Sequence, residues 1–240
     1  MTRLTTCLDA DAVAARAAAH IRGVLRRARE ERGVAHVALS GGTTPGHTYQ
    51  LLGEQPEDWI DAHVWFADER CVEPQDEESN YRLVSETLLA PAAIPAERVH
   101  RMRGELGPRD GALGYAAELA DAVPVGDGRL PALDLVVLGI GPDGHVASLF
   151  PGAAALDAGD GAICVGVTGS PKPPPERITL SLAMLHAARG CLLLATGAGK
   201  ADAVSAMLGQ RSRHVPASLL TRVRLTVIVD DAAAPEGPRP

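Results

Sequence analysis

The sequence has no apolar run long enough to cross a membrane. Its longest, LDLVVLGI (Leu133–Ile140) and CLLLATGA (Cys191–Ala198), are the size of single strands. The opening stretch, MTRLTTCLDADAVAARAAAH, lacks a continuous apolar segment and carries two aspartates, so neither a secretory leader nor a membrane span is expected. Cysteine is scarce. The four, at 7, 71, 164 and 191, show no CxxC spacing. That argues against a zinc site or a disulfide framework and for reduced thiols in the cytoplasm. Positive charge is not in excess: 23 Lys and Arg face 30 Asp and Glu, for a formal net charge of −7. RGVLRRAREER (Arg22–Arg32) spreads its arginines among apolar residues at helical spacing, as a solvated helix face does. No nucleic-acid partner is therefore expected. GxSxG, HExxH, GxGxxG and the GK[ST]-ending phosphate loop are all absent. That leaves no serine-nucleophile elbow, no zinc-protease helix and no nucleotide fingerprint.

What remains is ordinary globular composition: 240 residues, 46% hydrophobic and 22% charged, enough for one substantial core. Asp9–Arg32 reads as an amphipathic helix with Asp9 as its cap. Val34–Ser40 reads as a strand, and Thr44–Pro45 as the N-cap and first turn of a helix to about Leu52. Ala62–Asp68 is a second strand, Ser79 caps a helix through SNYRLVSETLL, and Gly111–Val123 is another helix. Strands follow at Leu133–Ile140, around AICVGVT, at CLLLATG and at Arg224–Asp230, with the helix GKADAVSAMLG before the last. GSPKPPPE (Gly169–Glu176) is a short surface loop, not a linker. Strands alternate with helices and are continuous apolar runs. This predicts one α/β domain over 1–240, with a mostly parallel central sheet flanked by helices on both faces and a loose tail from about 231.

In such a sheet ligands bind at the carboxyl ends of strands, so four loops carry the chemistry. SGGTTPG places Ser40, Gly41, Gly42 and Thr43 before a helix N-terminus, which suits an anion such as a phosphate as well as a plain capping turn. FADERCVEPQDEESNY crowds Asp68, Glu69 and Arg70 at a strand end. Arg70 there is either an oxyanion clamp or half of a local ion pair. LGIGPDGHVASLFPG contains a β-turn sequence, with Pro142, Asp143 and Gly144 at suitable positions. His145 follows it, a residue able to exchange protons near neutral pH, with Asp143 close enough in sequence to hold its other ring nitrogen. TGAGKA repeats the first loop's logic and adds Lys200. Lys172 and Arg177, in PKPPPERITL, supply further cations. Together these loops describe one pocket with phosphate donors, cations and a single acid/base.

LSGGTTPGHTYQLL, VWFADERCVEPQDEESNYRL, DLVVLGIGPDGHVASLFPG, SPKPPPERITLSL and TGAGKADAV resemble, in order and spacing, the 6-phosphogluconolactonase family, from about Ala35 to Asp230. Related glucosamine-6-phosphate deaminases usually carry DEY in place of DER, and an asparagine–glutamate–proline continuation in place of SLFP. The departures from the lactonase pattern are Thr43 in SGGTTPG, where serine is frequent, and Val146, where threonine is. The resemblance implies a Rossmann-like fold and hydrolysis of 6-phospho-D-glucono-1,5-lactone without a cofactor or metal, by a cytoplasmic enzyme that leans towards a monomer. For that reaction His145 is expected as general acid/base and Asp143 as its orienting partner. Phosphate would lie on Ser40, Gly41, Gly42 and Thr43 with Lys200, and with Lys172 or Arg177. The oxyanion would be met by turn N–H groups or by Arg70, beside Asp68. The competing readings are a deaminase or isomerase of an amino-sugar phosphate, and a sugar-phosphate sensor. About 33 residues precede the first core strand, mostly one helix without a basic recognition surface, which disfavours the sensor.

Overall fold

Successive side chains of a strand point to opposite faces, so a strand buried at every position must be covered on both sides. The strand at Ala35–Leu39, β2, is buried throughout, and Cys191–Ala195, β8, likewise. A computed structural model describes residues 2–126, 128–222 and 224–235 and places these runs at the centre of the molecule. Asp9 caps α1 (Ala10–Arg32), its Oδ1 accepting from the Ala12 N–H at 2.8 Å. The remaining main strands are β1 (Arg3–Cys7), β3 (Ala62–Phe66), β5 (Leu135–Gly139) and β9 (Leu225–Asp230). Six strands form one sheet in the order β1-β9-β8-β5-β2-β3, every pair parallel. The expected α/β fold with a parallel sheet flanked by helices is the one observed.

From β2 the chain passes to β3 on one side, then returns to build β5, β8 and β9 on the other. The loops after β2 and β5 therefore leave neighbouring strand ends in opposite directions and open a crevice between them, the switch point at which doubly wound folds bind ligands. α2 (Thr43–Gly53) follows β2 directly. Its Tyr49 is fully buried and donates its hydroxyl to the Ser40 carbonyl at 2.8 Å, which fixes the end of that loop.

A second sheet of three antiparallel strands supports one wall of the crevice: β4 (Asp68–Arg70), β7 (Arg177–Leu180) and β6 (Cys164–Val167), in the order β4-β7-β6. Ala67 joins the sheets. Its N–H donates to the Leu39 carbonyl at 2.8 Å and its carbonyl accepts from Leu180 N–H at 2.8 Å. α3 (Asn80–Val84) begins at Ser79, which caps it as predicted, and α4 (Gly107–Ala122) packs on β6 and β7. Beyond these lie α5 (Leu182–Ala187) and α6 (Ala201–Leu208).

Several boundaries differ from the sequence reading. β1 is short, polar and mostly exposed, an edge strand with no apolar run to announce it. The strand read as Ala62–Asp68 ends at Phe66, because the chain changes sheets at Ala67. The N-cap of α2 is Gly42, not Thr44, and no side chain caps that helix. Of the tail expected to be loose from 231, Asp231–Ala234 form turn and bend, with Ala233 buried and its N–H donating to Asp230 Oδ1 at 2.8 Å; residues 236–240 lie outside the described part.

Candidate active site

The crevice encloses a cavity of about 560 Å³. Ser40, Gly41, Gly42, Thr43, Asp68, Arg70, His145, Lys172, Arg177 and Lys200 all line it, and Asp143 stands directly behind His145. A larger cavity, about 1080 Å³, opens at the amino ends of β5, β8 and β9 beside α1, and it is lined by none of these residues.

The β2 loop is shaped by close approach. A Cβ at Gly41 would lie 1.9 Å from the Asn80 side-chain oxygen, so only glycine admits that carboxamide. The first α2 turn closes with Gly46 N–H donating to the Gly42 carbonyl at 2.9 Å. The N–H groups of Thr43 and Thr44 precede that bond, and no earlier turn supplies them with a carbonyl. Beside them the Ser40 hydroxyl is buried without a partner. Two hydroxyls, Thr44 Oγ1 and Thr196 Oγ1, meet at 2.7 Å and tie this loop to TGAGK. That second loop is held from behind, where Gly197 N–H donates to both Asp230 carboxylate oxygens at 3.0 and 2.9 Å. Lys200 donates to the Ile140 carbonyl at 2.7 Å. Burial and the nearby Lys172 charge, opposed by Asp143, hold its pKa below the ordinary 10.5.

The DER segment divides into three tasks. Asp68 is buried and accepts from Ser148 Oγ at 2.8 Å, while Asn80 Nδ2 donates to the Asp68 carbonyl at 2.8 Å. Glu69 is 2% exposed and is a hub: its carboxylate accepts from the N–H groups of Arg70, Asn80 and Tyr81 at 2.8, 2.7 and 2.7 Å, and from Ser79 Oγ at 3.1 Å. Burial raises its pKa against the pull of those N–H donors. Arg70 donates its Nη1 to the Glu78 carbonyl and holds it 3.5 Å from the Glu78 carboxylate, the local ion pair the sequence allowed, yet its buried Nε has no partner. Across the small sheet Arg70 pairs directly with Arg177. Opposed like charges are unfavourable in a ladder, and an anion in the cavity would relieve them.

Arg177 donates Nε to the Pro174 carbonyl at 3.1 Å, and Nη2 to the Pro173 and Lys172 carbonyls at 2.9 and 3.3 Å. It braces the Gly169–Glu176 loop, which contains a cis Pro173–Pro174 bond. Lys172, carried on that loop, reaches to 3.7 Å from Asp143 Oδ1.

His145 Nδ1 lies 2.5 Å from Asp143 Oδ1. The turn is closed by Gly141 N–H donating to the His145 carbonyl at 3.0 Å and by Gly144 N–H donating to the Gly141 carbonyl at 2.9 Å. A Cβ at Gly141 would sit 2.0 Å from His145 Nδ1 and 2.4 Å from Asp143 Oδ1. The histidine–aspartate pair therefore folds back over a bare Cα. Burial keeps the His145 pKa below 6.5, against the hydrogen bond and charge of Asp143, so the imidazole is neutral at pH 7. Burial would raise Asp143, but the His145 hydrogen bond, its charge and that of Lys172 bring it below its usual carboxylate value. Just beyond the turn, Ala147 holds a φ of 48°, a left-handed conformation that costs about 1–3 kcal/mol for a residue with a side chain and clusters at working sites.

Asn80, Ser148, Glu69, Thr196 and Asp230 were not singled out as site residues from the sequence, and each shapes this cavity. Among the described residues, no three His, Cys, Asp or Glu side chains converge as a metal would need.

The chain as a whole is similar to known proteins. The family described as glucosamine-6-phosphate isomerases/6-phosphogluconolactonase matches residues 8–229. A 6-phosphogluconolactonase of Streptomyces coelicolor is 37% identical over 96% of this chain and 93% of its own length. Among solved structures, the 6-phosphogluconolactonase of Trypanosoma brucei superposes with a TM-score of 0.88 at 26% identity, covering 97% of both chains. That of Shewanella baltica gives 0.84 at 31% identity, over 96% of this chain and 98% of its own.

Proposed function

The chain belongs to the glucosamine-6-phosphate isomerase/6-phosphogluconolactonase family, and from that premise we propose how this cavity performs the lactonase reaction. The activity is hydrolysis of 6-phospho-D-glucono-1,5-lactone to 6-phosphogluconate, a step of the oxidative pentose phosphate pathway. One observation carries the site assignment: a neutral histidine oriented by an aspartate shares a cavity with two buried donors, Ser40 Oγ and Arg70 Nε, that have no partner in the protein.

Because Asp143 accepts the Nδ1 proton, Nε2 of His145 carries the lone pair. It takes a proton from water as the water oxygen attacks lactone C1. The carbonyl oxygen becomes an oxyanion. The N–H groups of Gly141 and Gly144 are already spent within the turn, so Arg70 meets that charge. As the C1–ring oxygen bond breaks, Nε2 returns the proton to the leaving oxygen. Atoms balance: one water is consumed, and the product carboxylic acid then loses its own proton. The 6-phosphate sits on Gly41, Gly42, Thr43 and the Ser40 hydroxyl, with Lys200 as counter-charge. Lys172 faces the catalytic end beside Asp143, and Arg177 braces its loop. The lactone also opens unaided, so a lone acid/base supplying roughly 10²–10⁴-fold, with positioning by the phosphate, is an adequate source of rate.

The four cysteines are all free thiols, which supports a reducing, cytoplasmic setting. Among the described residues, no helix is long and apolar enough to cross a membrane. The deciding assay follows purified protein on freshly generated 6-phosphogluconolactone with spontaneous hydrolysis subtracted. Ammonia release from glucosamine 6-phosphate, without lactone opening, would assign the site to a deaminase instead.

A further inference from the structure

The ring of Phe150 is 1% exposed, and its centroid lies 4.6 Å from that of His145, with the planes tilted by 39°. The guanidinium carbon of Arg177 lies 5.7 Å from the centroid of the same ring. One aromatic side chain thus touches both the proposed base and the arginine that braces the Lys172 loop. Its place is fixed by a tight return of the chain. Leu149 N–H donates to the Val146 carbonyl at 2.9 Å, Ser148 N–H donates to Thr179 Oγ1 at 3.2 Å, and Ser148 Oγ donates to Asp68. The segment after His145 therefore doubles back and brings the Phe150 ring against the imidazole.

The charged groups around His145 come from three segments: Asp143 on its own turn, Lys172 on the bracing loop, and Asp68 on β4. Arg177, on β7, is held against the Phe150 ring. Phe150 adds neither charge nor hydrogen bond. It contributes a flat apolar surface where water would otherwise stand.

We propose that Phe150 is a positioning residue for the reaction: its ring fixes the plane in which His145 presents Nε2 and keeps water from that side of the imidazole. This rests on the reading of His145 as the base. Burial is the largest influence holding His145 below its ordinary pKa, so thinning the apolar cover lets the pKa rise. A base with a higher pKa is still protonated at a pH where the wild type is already active. The acid limb of the pH profile then moves upward.

The test is the pH dependence of kcat/KM for Phe150→Leu and Phe150→Met, two substitutions that keep bulk but lose the flat ring, with His145→Ala as control. The expected result is an acid limb displaced upward, towards about 6.5, in both variants, together with a kcat lowered roughly tenfold or more at neutral pH. A purely structural role would lower the melting temperature and leave the limb in place. An unmoved limb in a folded variant overturns the proposal, and if the leucine variant fails to fold the methionine variant decides. A His145→Ala enzyme that turns over at the wild-type rate would instead overturn the base assignment, a different result read from a different variant.

Discussion

Asp143 Oδ1 and His145 Nδ1 stand 2.5 Å apart although only one residue separates them in the chain, because the Gly141–Gly144 turn curls the pair back on itself. The aspartate thereby selects which imidazole nitrogen is free. Asp143→Asn can hold the ring through its carboxamide oxygen but gives up the charge, and it is free to flip and offer N–H instead. We expect kcat to fall by about 10²-fold or more, within the range a positioned acid/base supplies. Binding of 6-phosphogluconate, measured calorimetrically, should stay near the wild-type value. An asparagine enzyme with unchanged kcat would remove Asp143 from the mechanism.

Gly141→Ala tests the same geometry from below. The added methyl would overlap both members of the pair, at 2.0 and 2.4 Å, so the histidine must move. A displacement near 1 Å is enough to cost roughly 10²-fold in rate. The residue lies in a loop at the strand end, so the melting temperature should change little while turnover collapses. Full activity in this variant would mean that His145 does not work from the position seen.

Ser40→Ala separates folding from binding. The hydroxyl is buried and unpartnered, so its removal costs the empty protein nothing and should leave the melting temperature unchanged or higher. Losing a hydrogen bond to a phosphate oxygen is worth about 1.5–3 kcal/mol, or roughly 10- to 100-fold in KM. Lys200→Ala should raise KM as well. A KM unaltered in both variants would move the phosphate elsewhere.

Away from the cavity, His36, His63 and His100 gather beside Trp65. The Trp65 indole N–H donates to His36 Nδ1 at 3.2 Å, His63 Nδ1 meets His100 Nε2 at 2.8 Å, and His100 Nδ1 meets Glu118 at 2.6 Å. Burial, followed by the charges of His63 and His100, pushes the His36 pKa down to about 4. The unfolded chain takes up this proton near 6.5 and the folded one only near 4, so stability is complete above 6.5 and falls as pH drops between those values. The loss from pH 7 to pH 5 is on the order of 2 kcal/mol, read as a lower urea midpoint. His36→Gln should show a smaller loss; an equal one would place the acid sensitivity elsewhere.

The fold was legible where burial is uniform. β2, β5 and β8 are apolar at nearly every position, and both the parallel sheet and its ligand edge follow from that. β1 and β4 were not read as strands, since one is a polar edge and the other spans only Asp68–Arg70 after a change of sheet. In the site, glycine, histidine and lysine at strand ends could be read locally. Ser148 could not, because its value lies in meeting Asp68, 80 positions away. Glu69 stood in plain view as one of three adjacent charges. Its role as an acceptor of four hydrogen bonds depends on how Ser79, Asn80 and Tyr81 turn towards it.

The proposed phosphate grip follows β2 and the proton-transferring turn follows β5, and these strands are adjacent partners, with Val37 beside Leu135 and Ala38 beside Val136. The span between grip and base is therefore a ruler cut by the sheet itself, about one inter-strand spacing of ~4.8 Å plus the reach of two short loops. A one-residue slip along this pair would exchange two covered faces and unpack the layers on both, so the ruler cannot be lengthened by small steps. Sugar-phosphate lactones whose phosphate is one carbon nearer to the ester would be held as firmly and opened poorly, a discrimination by length that no single side chain enforces.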